Sequence, residues 1–230
     1  MLKIGYNSDP TSHQTQQRIC DYIVQQRHDR GRFRVIDIGG WIHGWSAPVI
    51  DMLVDINTEN TAGSLRLDIC QDSAWAELEQ HTRETGMYDY AICTHTLEDL
   101  YNPVAALRFL PKIARAGVIT MPSAHHELSR HENPAWTGYI HHRWVFDQTS
   151  TGDMLLVPKL PALDGVIAQR DLSNPNRMEI EYQWSEHIPF TMFMNNFLGP
   201  NVGVVHNEFA AFVARIEQER GLASQPVEPV

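Results

Sequence analysis

Between residues 34 and 122, short apolar segments alternate with longer amphipathic ones. The short segments, rich in β-branched residues, predict five buried strands: Arg34 to Ile38, Asp51 to Ile56, Leu65 to Ile69, Tyr88 to Cys93 and Gly117 to Met121. Helices are predicted from Asp72 or Ser73 to about Thr85, and from Pro103, after a capping Asn102, toward Arg115. Such alternation is typical of a mostly parallel sheet with helices on its faces. We therefore expect an α/β, Rossmann-like fold with helices on both faces.

The sequence on either side of this region predicts a helix at the start and mixed structure at the end. A helix is predicted from Asp9 to Arg30, where Gly31 ends it. After residue 122, two strand-like segments joined by a Ser-, Thr- and Gly-rich turn predict an antiparallel hairpin: Tyr139 to Asp147 and Asp153 to Val157. A strand over Met178 to Trp184 and a helix over Gly203 to Arg220 follow, and 159–177 is expected to be a long surface excursion.

The length of 230 residues suits one domain with elaborations. We expect a single domain over 1–230, in which 31–122 form a cofactor-binding core. Residues 123–222 would then provide an acceptor site and a lid, and 223–230, which hold little to bury, a flexible tail.

The charge and the cysteines restrict the class of protein. A formal net charge of −10 argues against general binding to nucleic acid or to an anionic membrane surface, since both need a basic footprint. The three cysteines are widely spaced and predict neither a disulfide framework nor a zinc finger. No apolar run approaches the roughly 20 residues that span a bilayer. These features predict a cytoplasmic protein that acts on a small molecule, and they leave its oligomeric state open.

Four motifs occur in order along the predicted core. They are V-I-D-I-G-G at 35–40, V-D-I at 54–56, L-D-I at 67–69 and Y-D-Y-A-I-C-T-H-T-L-E-D-L-Y-N-P at 88–103. Together they resemble the motifs of class I S-adenosylmethionine-dependent methyltransferases, over a little under half of the chain. The fourth motif is the most specific, because it is similar to the segment that passes under the methionine part of the cofactor.

This resemblance implies S-adenosylmethionine as the cofactor and a set of residues that bind it. Gly39 and Gly40 would let the backbone approach the cofactor, since they have no Cβ. Asp55 would accept hydrogen bonds from the ribose hydroxyls, and Asp68 and Ile69 would meet the adenine. Thr94 and His95 would line the amino-acid end, although a histidine there is also a common packing residue. The cofactor-binding residues implied are Asp37, Gly39, Gly40, Asp55, Asp68, Ile69, Thr94 and His95.

The first loop departs from the family pattern. The family usually has G-x-G-x-G and then a full helix, whereas this chain has G-G-W-I-H-G-W-S-A-P over 39–48. A parallel crossover normally needs a dozen residues or more, so we expect the first helix to be lost or reduced to a turn. Trp41, Trp45 or the helix over Asp9 to Arg30 would then cover that side of the sheet.

The most unusual feature is a group of five histidines within 18 residues. They are His125, His126, His131, His141 and His142, accompanied by Glu127 and Glu132. Three interpretations stay open: a general base formed from His126, Glu127 and His141; a divalent-metal site formed from His126, Glu127 and His142; or structural histidines. Neighbours on a strand point to opposite faces, which counts against adjacent ligands unless the segment is a loop.

Two residues after the histidines are candidates for binding the acceptor. Arg143 would hold a carboxylate or phosphate and Trp144 would stack on a sugar ring, with core packing as the alternative for the tryptophan. The leading prediction is methyl transfer from S-adenosylmethionine to a small-molecule or glycan acceptor, at oxygen. The alternatives are an inactive methyltransferase-like binding module and a metal-dependent enzyme that uses the histidines. An NAD-type oxidoreductase is disfavoured, because G-x-G-x-x-G is missing after the first strand.

Overall fold

The structure is a computed structural model that describes residues 2–9, 12–167, 170–193 and 202–220. The strands are β1 (Leu2–Asn7), β2 (Val35–Ile38), β3 (Met52–Val54), β4 (Ser64–Leu65), β5 (Tyr90–Thr94), β6 (Ala116–Pro122), β7 (Trp144–Gln148), β8 (Met154–Pro158), β9 (Glu179–Ser185) and β10 (Phe190–Met192). The helices are α1 (His13–Arg30), α2 (Asp72–Thr85), α3 (Pro103–Ile113), α4 (Ala124–Glu127), α5 (Pro161–Ile167) and α6 (Val202–Glu219).

A seven-stranded sheet has the order β1-β9-β6-β5-β2-β3-β4. The five strands β2 to β6 are parallel to one another, and β9 alone runs antiparallel to its neighbours β6 and β1. From β2 the chain proceeds outward through β3 and β4, and then returns to β5 on the other side of β2. The strand order therefore reverses between β2 and β5, which is where open α/β sheets bind their ligands. The expected Rossmann-like fold is confirmed.

The alternation of side chains along β2 explains why both faces of the sheet carry helices. Ile36 and Ile38 lie in one core cluster with side chains of α2 and α3. Val35 faces the other way and packs in a separate cluster with Ile19 and Ile23 of α1. Successive side chains of a strand point to opposite faces, so a wholly apolar strand of this kind needs cover on both.

The crossover from β2 to β3 contains turns and no helix over residues 39–51, all of which the structure describes. The predicted loss of the first helix is confirmed. Val49 and Trp45 of this crossover pack against the α1 cluster instead. The N-terminal helix thus covers the face that the missing helix leaves open.

The C-terminal half forms a second, smaller sheet in the order β10-β8-β7. The predicted antiparallel hairpin is confirmed as β7 and β8, although β7 begins at Trp144 rather than at Tyr139. The excursion over 159–177 is not only surface, because α5 lies within it and buries Leu163 and Val166 against α6. The predicted tail at 223–230 lies outside the described residues.

Candidate functional site

A cavity of about 230 Å³ lies where β2, β3, β4 and β5 end, next to the point of strand-order reversal. Its lining includes four of the residues predicted to bind the cofactor: Gly39, Asp55, Asp68 and Ile69. Pockets for drug-sized ligands are usually about 300–1,000 Å³, so this cavity suits only part of a molecule as large as S-adenosylmethionine. The structure thus brings these four residues to one cavity.

Short turns fix both carboxylates of the cavity. Asp55 Oδ1 accepts the backbone N–H of Asn57 at 2.7 Å, and Asp68 Oδ1 accepts that of Cys70 at 3.0 Å. The buried indole of Trp75 donates to the carbonyl of Ile69 at 2.8 Å and so holds this turn against α2. Aspartate side chains favour such turns because they bond to a backbone N–H two residues on.

The two glycines after β2 occupy positions where a side chain does not fit. Gly39 has a φ of +80°, and a Cβ there would lie 2.3 Å from the side chain of Thr96. A Cβ on Gly40 would lie 2.2 Å from Oδ2 of Asp37. The backbone after β2 therefore runs close to both the cavity and the buried Asp37 carboxylate.

Asp37 was predicted to bind the cofactor, but the structure places it beneath the loop rather than on the cavity. Its side chain is buried and accepts a hydrogen bond from the Ser46 hydroxyl. Burial raises the pKa of Asp37 to about 6, and the Ser46 hydrogen bond opposes this shift. The carboxylate thus anchors the loop over residues 40–46 through Ser46.

Replacing Gly39 by alanine is expected to destabilise the protein more than replacing Gly152. Both residues have a positive φ, +80° and +85°, so both substitutions carry similar backbone strain. Only at Gly39 does the new methyl group meet another side chain, which adds at least about 1 kcal/mol. Urea denaturation of the two variants measures the difference, and equal losses would contradict this account of the loop.

His95, which follows β5, is held by charged and polar groups on both ring nitrogens. Its Nε2 lies 3.0 Å from Oε2 of Glu179 and 2.6 Å from Oγ of Ser12, and its Nδ1 lies 3.5 Å from Oε1 of Glu98. Burial alone would lower the pKa of His95, but the hydrogen bonds to the two glutamates outweigh it and raise the pKa to about 10. The ring is therefore cationic at neutral pH, and its side chain remains 34% exposed.

The histidine-rich segment is organised around the buried carboxylate of Glu127. Its Oε2 lies 2.8 Å from Nδ1 of His142, and its Oε1 accepts the Lys159 ammonium at 2.6 Å and the Tyr139 backbone N–H at 3.2 Å. A Cβ on Gly138 would lie 2.1 Å from Oε1, so the chain wraps tightly around this carboxylate. Both oxygens of Glu127 thus hold partners from the same part of the chain, and the carboxylate anchors the histidine-rich segment.

The other two residues predicted as part of a base lie in different environments. His126 is buried, with Nε2 3.3 Å from the Tyr139 hydroxyl, and burial together with His131 lowers its pKa to about 4. His141 is 59% exposed, and its Nε2 lies 3.9 Å from Oδ1 of Asp99. The structure thus brings His141 and His142 together beside Asp99, and the ring of Tyr139 contacts these two histidines and His126.

Asp99 and a second cavity belong to the site but are not predicted by the sequence motifs. Asp99 lines the first cavity, and His142 lines a neighbouring one of about 150 Å³. Trp136, Lys159 and Asp164 also line this second cavity. Asp99 had a signal, since it lies in the T-L-E-D-L motif just beyond β5, at the ligand-binding edge of the sheet. Trp136, Lys159 and Asp164 lie in loops or helix ends with no motif.

The two predicted acceptor-binding residues lie outside both cavities. The indole of Trp144 packs in the central core and donates to the carbonyl of Leu100 at 2.8 Å. Arg143 donates to the carbonyl of Asp99 at 3.0 Å and places its guanidinium 5.2 Å from the centre of the Tyr101 ring. Both residues therefore fasten the histidine segment to the loop over residues 98–101 that borders the first cavity.

No protein-family model matches the chain, and no curated protein matches it either. Among solved structures, it is similar to the methyltransferase domain of bacterial CtHen1-CN, at 9% identity, a TM-score of 0.34 and coverage of 74% of this chain and 97% of that one. It is also similar to an S-adenosylmethionine-dependent methyltransferase from Mesorhizobium loti, at 14% identity, a TM-score of 0.30 and coverage of 59% and 62%.

A third similar structure is the cyclase SpnF, at 15% identity, a TM-score of 0.28 and coverage of 50% of this chain and 49% of that one. The chain thus spans about half of the length of SpnF. Similarities with such low sequence identity and TM-scores do not indicate an activity for this chain. The strand order itself establishes the fold. Within the described residues, no helix is long and apolar enough to cross a membrane.

Proposed function

We propose that this protein transfers the methyl group of S-adenosylmethionine to an oxygen atom of a small-molecule or sugar acceptor. One observation carries the proposal: the cavity at the reversal of strand order is lined by Gly39, Asp55, Asp68 and Ile69, the residues that the motifs assign to this cofactor.

The adenosine half of the cofactor suits the chemistry of this cavity. Asp55 has a second carboxylate oxygen besides the one that accepts the Asn57 N–H, and this oxygen can accept from a ribose hydroxyl. Ile56, which is 49% exposed, and Ile69 offer apolar surface for the adenine ring. A small number of precisely placed polar groups on an otherwise apolar lining is typical of small-molecule sites.

The methionine half would extend from Gly39 toward the end of β5. Gly39 and Gly40 leave the backbone there without side chains, and Thr94 and His95 end the adjacent strand. Both ring nitrogens of His95 already face Glu179 and Glu98, so the ring would border the methionine moiety without donating to its carboxylate. A group that stays protonated at neutral pH does not serve as a base, so we assign His95 to cofactor binding.

The acceptor would occupy the second cavity, beside His142. S-adenosylmethionine supplies an electrophilic methyl carbon; the acceptor oxygen forms the new O–C bond while the C–S bond breaks and its electron pair stays on sulfur. The acceptor hydroxyl must lose its proton, and Asp99, His141 and His142 lie between the two cavities to assist that loss. The ring of Trp136 on the second cavity suits the apolar face of a sugar.

Replacing Asp55 by alanine is expected to weaken binding of S-adenosylmethionine at least tenfold, because the ribose loses a charged acceptor worth about 1.5–3 kcal/mol. Isothermal titration with S-adenosylmethionine and S-adenosylhomocysteine measures the change, and circular dichroism checks the fold. Glu77→Ala is the matched control, since it removes one exposed carboxylate from α2 away from the cavity.

The same titration tests the proposal as a whole. Micromolar binding by the unaltered protein and Glu77→Ala, and its loss in Asp55→Ala, are the expected results. Absence of binding by the unaltered protein would overturn the proposal and favour a binding module that has lost transfer along with its first helix.

A further inference from the structure

Asp99, His141 and His142 present three metal-ligating atoms at one point between the two cavities. One oxygen or nitrogen from each residue lies within 4.8 Å of the others. Nε2 of both histidines lies 3.9 Å from Oδ1 of Asp99. Among the described residues, this is the one group of His, Cys, Asp or Glu side chains close enough to share an ion.

The backbone explains how two adjacent histidines reach the same point. Residues 139–143 form a turn rather than the start of a strand, so the alternation that separates neighbouring side chains does not apply. The two imidazole rings lie 4.5 Å apart, centre to centre. The buried Glu127 shapes this turn through the Tyr139 N–H and the close approach of Gly138.

Glu127 also prepares His142 as a ligand. Because Glu127 Oε2 accepts the proton on Nδ1 at 2.8 Å, the neutral ring carries its lone pair on Nε2, the atom that faces Asp99. Histidines that bind metals almost always donate their other N–H to a carboxylate or carbonyl in this way. Lys159 balances the charge of Glu127, so Asp99 supplies the negative charge for the ion.

We propose that Asp99, His141 and His142 bind one divalent transition-metal ion of the Zn²⁺, Fe²⁺ or Mn²⁺ type. Two imidazoles and one carboxylate, with further positions open, are a ligand set that such ions prefer, whereas Mg²⁺ prefers oxygen alone. Bonds to the ion of about 2.0–2.2 Å require the three atoms to close in slightly. Asp99 and His141 are exposed, so their side chains can make this movement.

The open positions of the ion would take oxygen atoms of the acceptor, and this part of the proposal rests on the proposed function. His142 borders the second cavity and Asp99 borders the first, so an ion between them touches both spaces. A bound divalent ion lowers the pKa of an oxygen acid. The ion would thus bind the acceptor hydroxyl as its alkoxide, and the proton would leave to water.

The test uses the full chain, treated with a chelator and titrated with Co²⁺ and Zn²⁺. We expect one equivalent of Co²⁺ to bind with a visible absorption spectrum, and Zn²⁺ to displace it. His141→Ala and Asp99→Asn are expected to weaken binding by at least about tenfold, since even an outer-sphere partner is worth 10–100-fold. His28→Ala, which removes an exposed histidine from α1, should bind as the unaltered protein does.

Two results would overturn the metal site: no stoichiometric binding by the unaltered protein, or equal binding by His141→Ala and Asp99→Asn. Both substitutions change exposed side chains, so the folded state is expected to persist. Parallel titrations of the chelator-treated unaltered protein with Co²⁺ and with S-adenosylmethionine separate the two proposals. Cofactor binding without metal binding refutes the ion alone, and metal binding without cofactor binding refutes only the methyl-transfer proposal and the acceptor role built on it.

Discussion

Glu127→Ala is expected to lower the free energy of unfolding by about 3–5 kcal/mol, because it leaves a largely buried ammonium without its partner. The side chain of Glu127 is 1% exposed and that of Lys159 is 12% exposed, and their atoms lie 2.6 Å apart. The substitution also removes the acceptors for the Tyr139 N–H and for His142. Urea denaturation followed by tryptophan fluorescence measures the loss.

A double-mutant cycle separates the ion pair from the other contacts of Glu127. In a Lys159→Met background, Glu127→Ala is expected to cost clearly less, since no unpaired charge is left behind. Glu77→Ala is the control, because it removes an exposed carboxylate from α2 and is expected to change stability little. An equal cost of Glu127→Ala in both backgrounds would show that the ion pair contributes nothing to the effect.

The core elements could be predicted because their sequences obey local rules. The strands β2, β5 and β6 are apolar and β-branched, and Gly86 and Pro103 mark helix ends. The predicted caps were less accurate. Asn102 donates to the carbonyl of Cys70 instead of capping α3, and α2 has no side-chain cap. Local propensity fixed where the helices lie, while tertiary contacts decided how their first turns are bonded.

Strands that depend on distant partners were harder to predict. β1, with the sequence L-K-I-G-Y-N, contains a lysine and a glycine, and it forms because β9 pairs with it along its whole length. The segment Leu65 to Ile69 was predicted as a strand, but only its first residue lies in β4 and the rest forms the turn around Asp68. A carboxylate that bonds to nearby backbone ended the strand early.

The site was predicted where it follows strand ends and missed where it depends on folding of the C-terminal half. Asp55 and Asp68 follow the predicted strands, and the topology brings them to one cavity. The distribution of the histidines could not be predicted, because it depends on a turn that Glu127 and Lys159 hold from two different segments. Such a contact cannot be recognised from local sequence, because the two residues lie 32 positions apart in the chain.

The stability of this protein is expected to fall between pH 6.5 and pH 10 through the titration of His95. The pKa of this ring is raised from 6.5 to about 10 in the folded state. A raised pKa means that the folded state binds the proton more tightly, so the stabilisation is fully present below 6.5 and is lost as the pH rises through 10. The shift corresponds to about 5 kcal/mol, and the exposed third of the side chain reduces the expectation to about 2–3 kcal/mol.

The measurement is the free energy of unfolding of the unaltered protein and of His95→Gln at several pH values from 6 to 10. Their difference is expected to shrink as the pH rises, because the glutamine carries no charge to lose, whereas His28→Gln should follow the unaltered protein throughout. A difference that is constant over this range would show that Glu179 and Glu98 do not hold His95 as a cation. A cationic His95 cannot take the acceptor proton at neutral pH, so this result also tests the assignment of His95 to cofactor binding rather than to base catalysis.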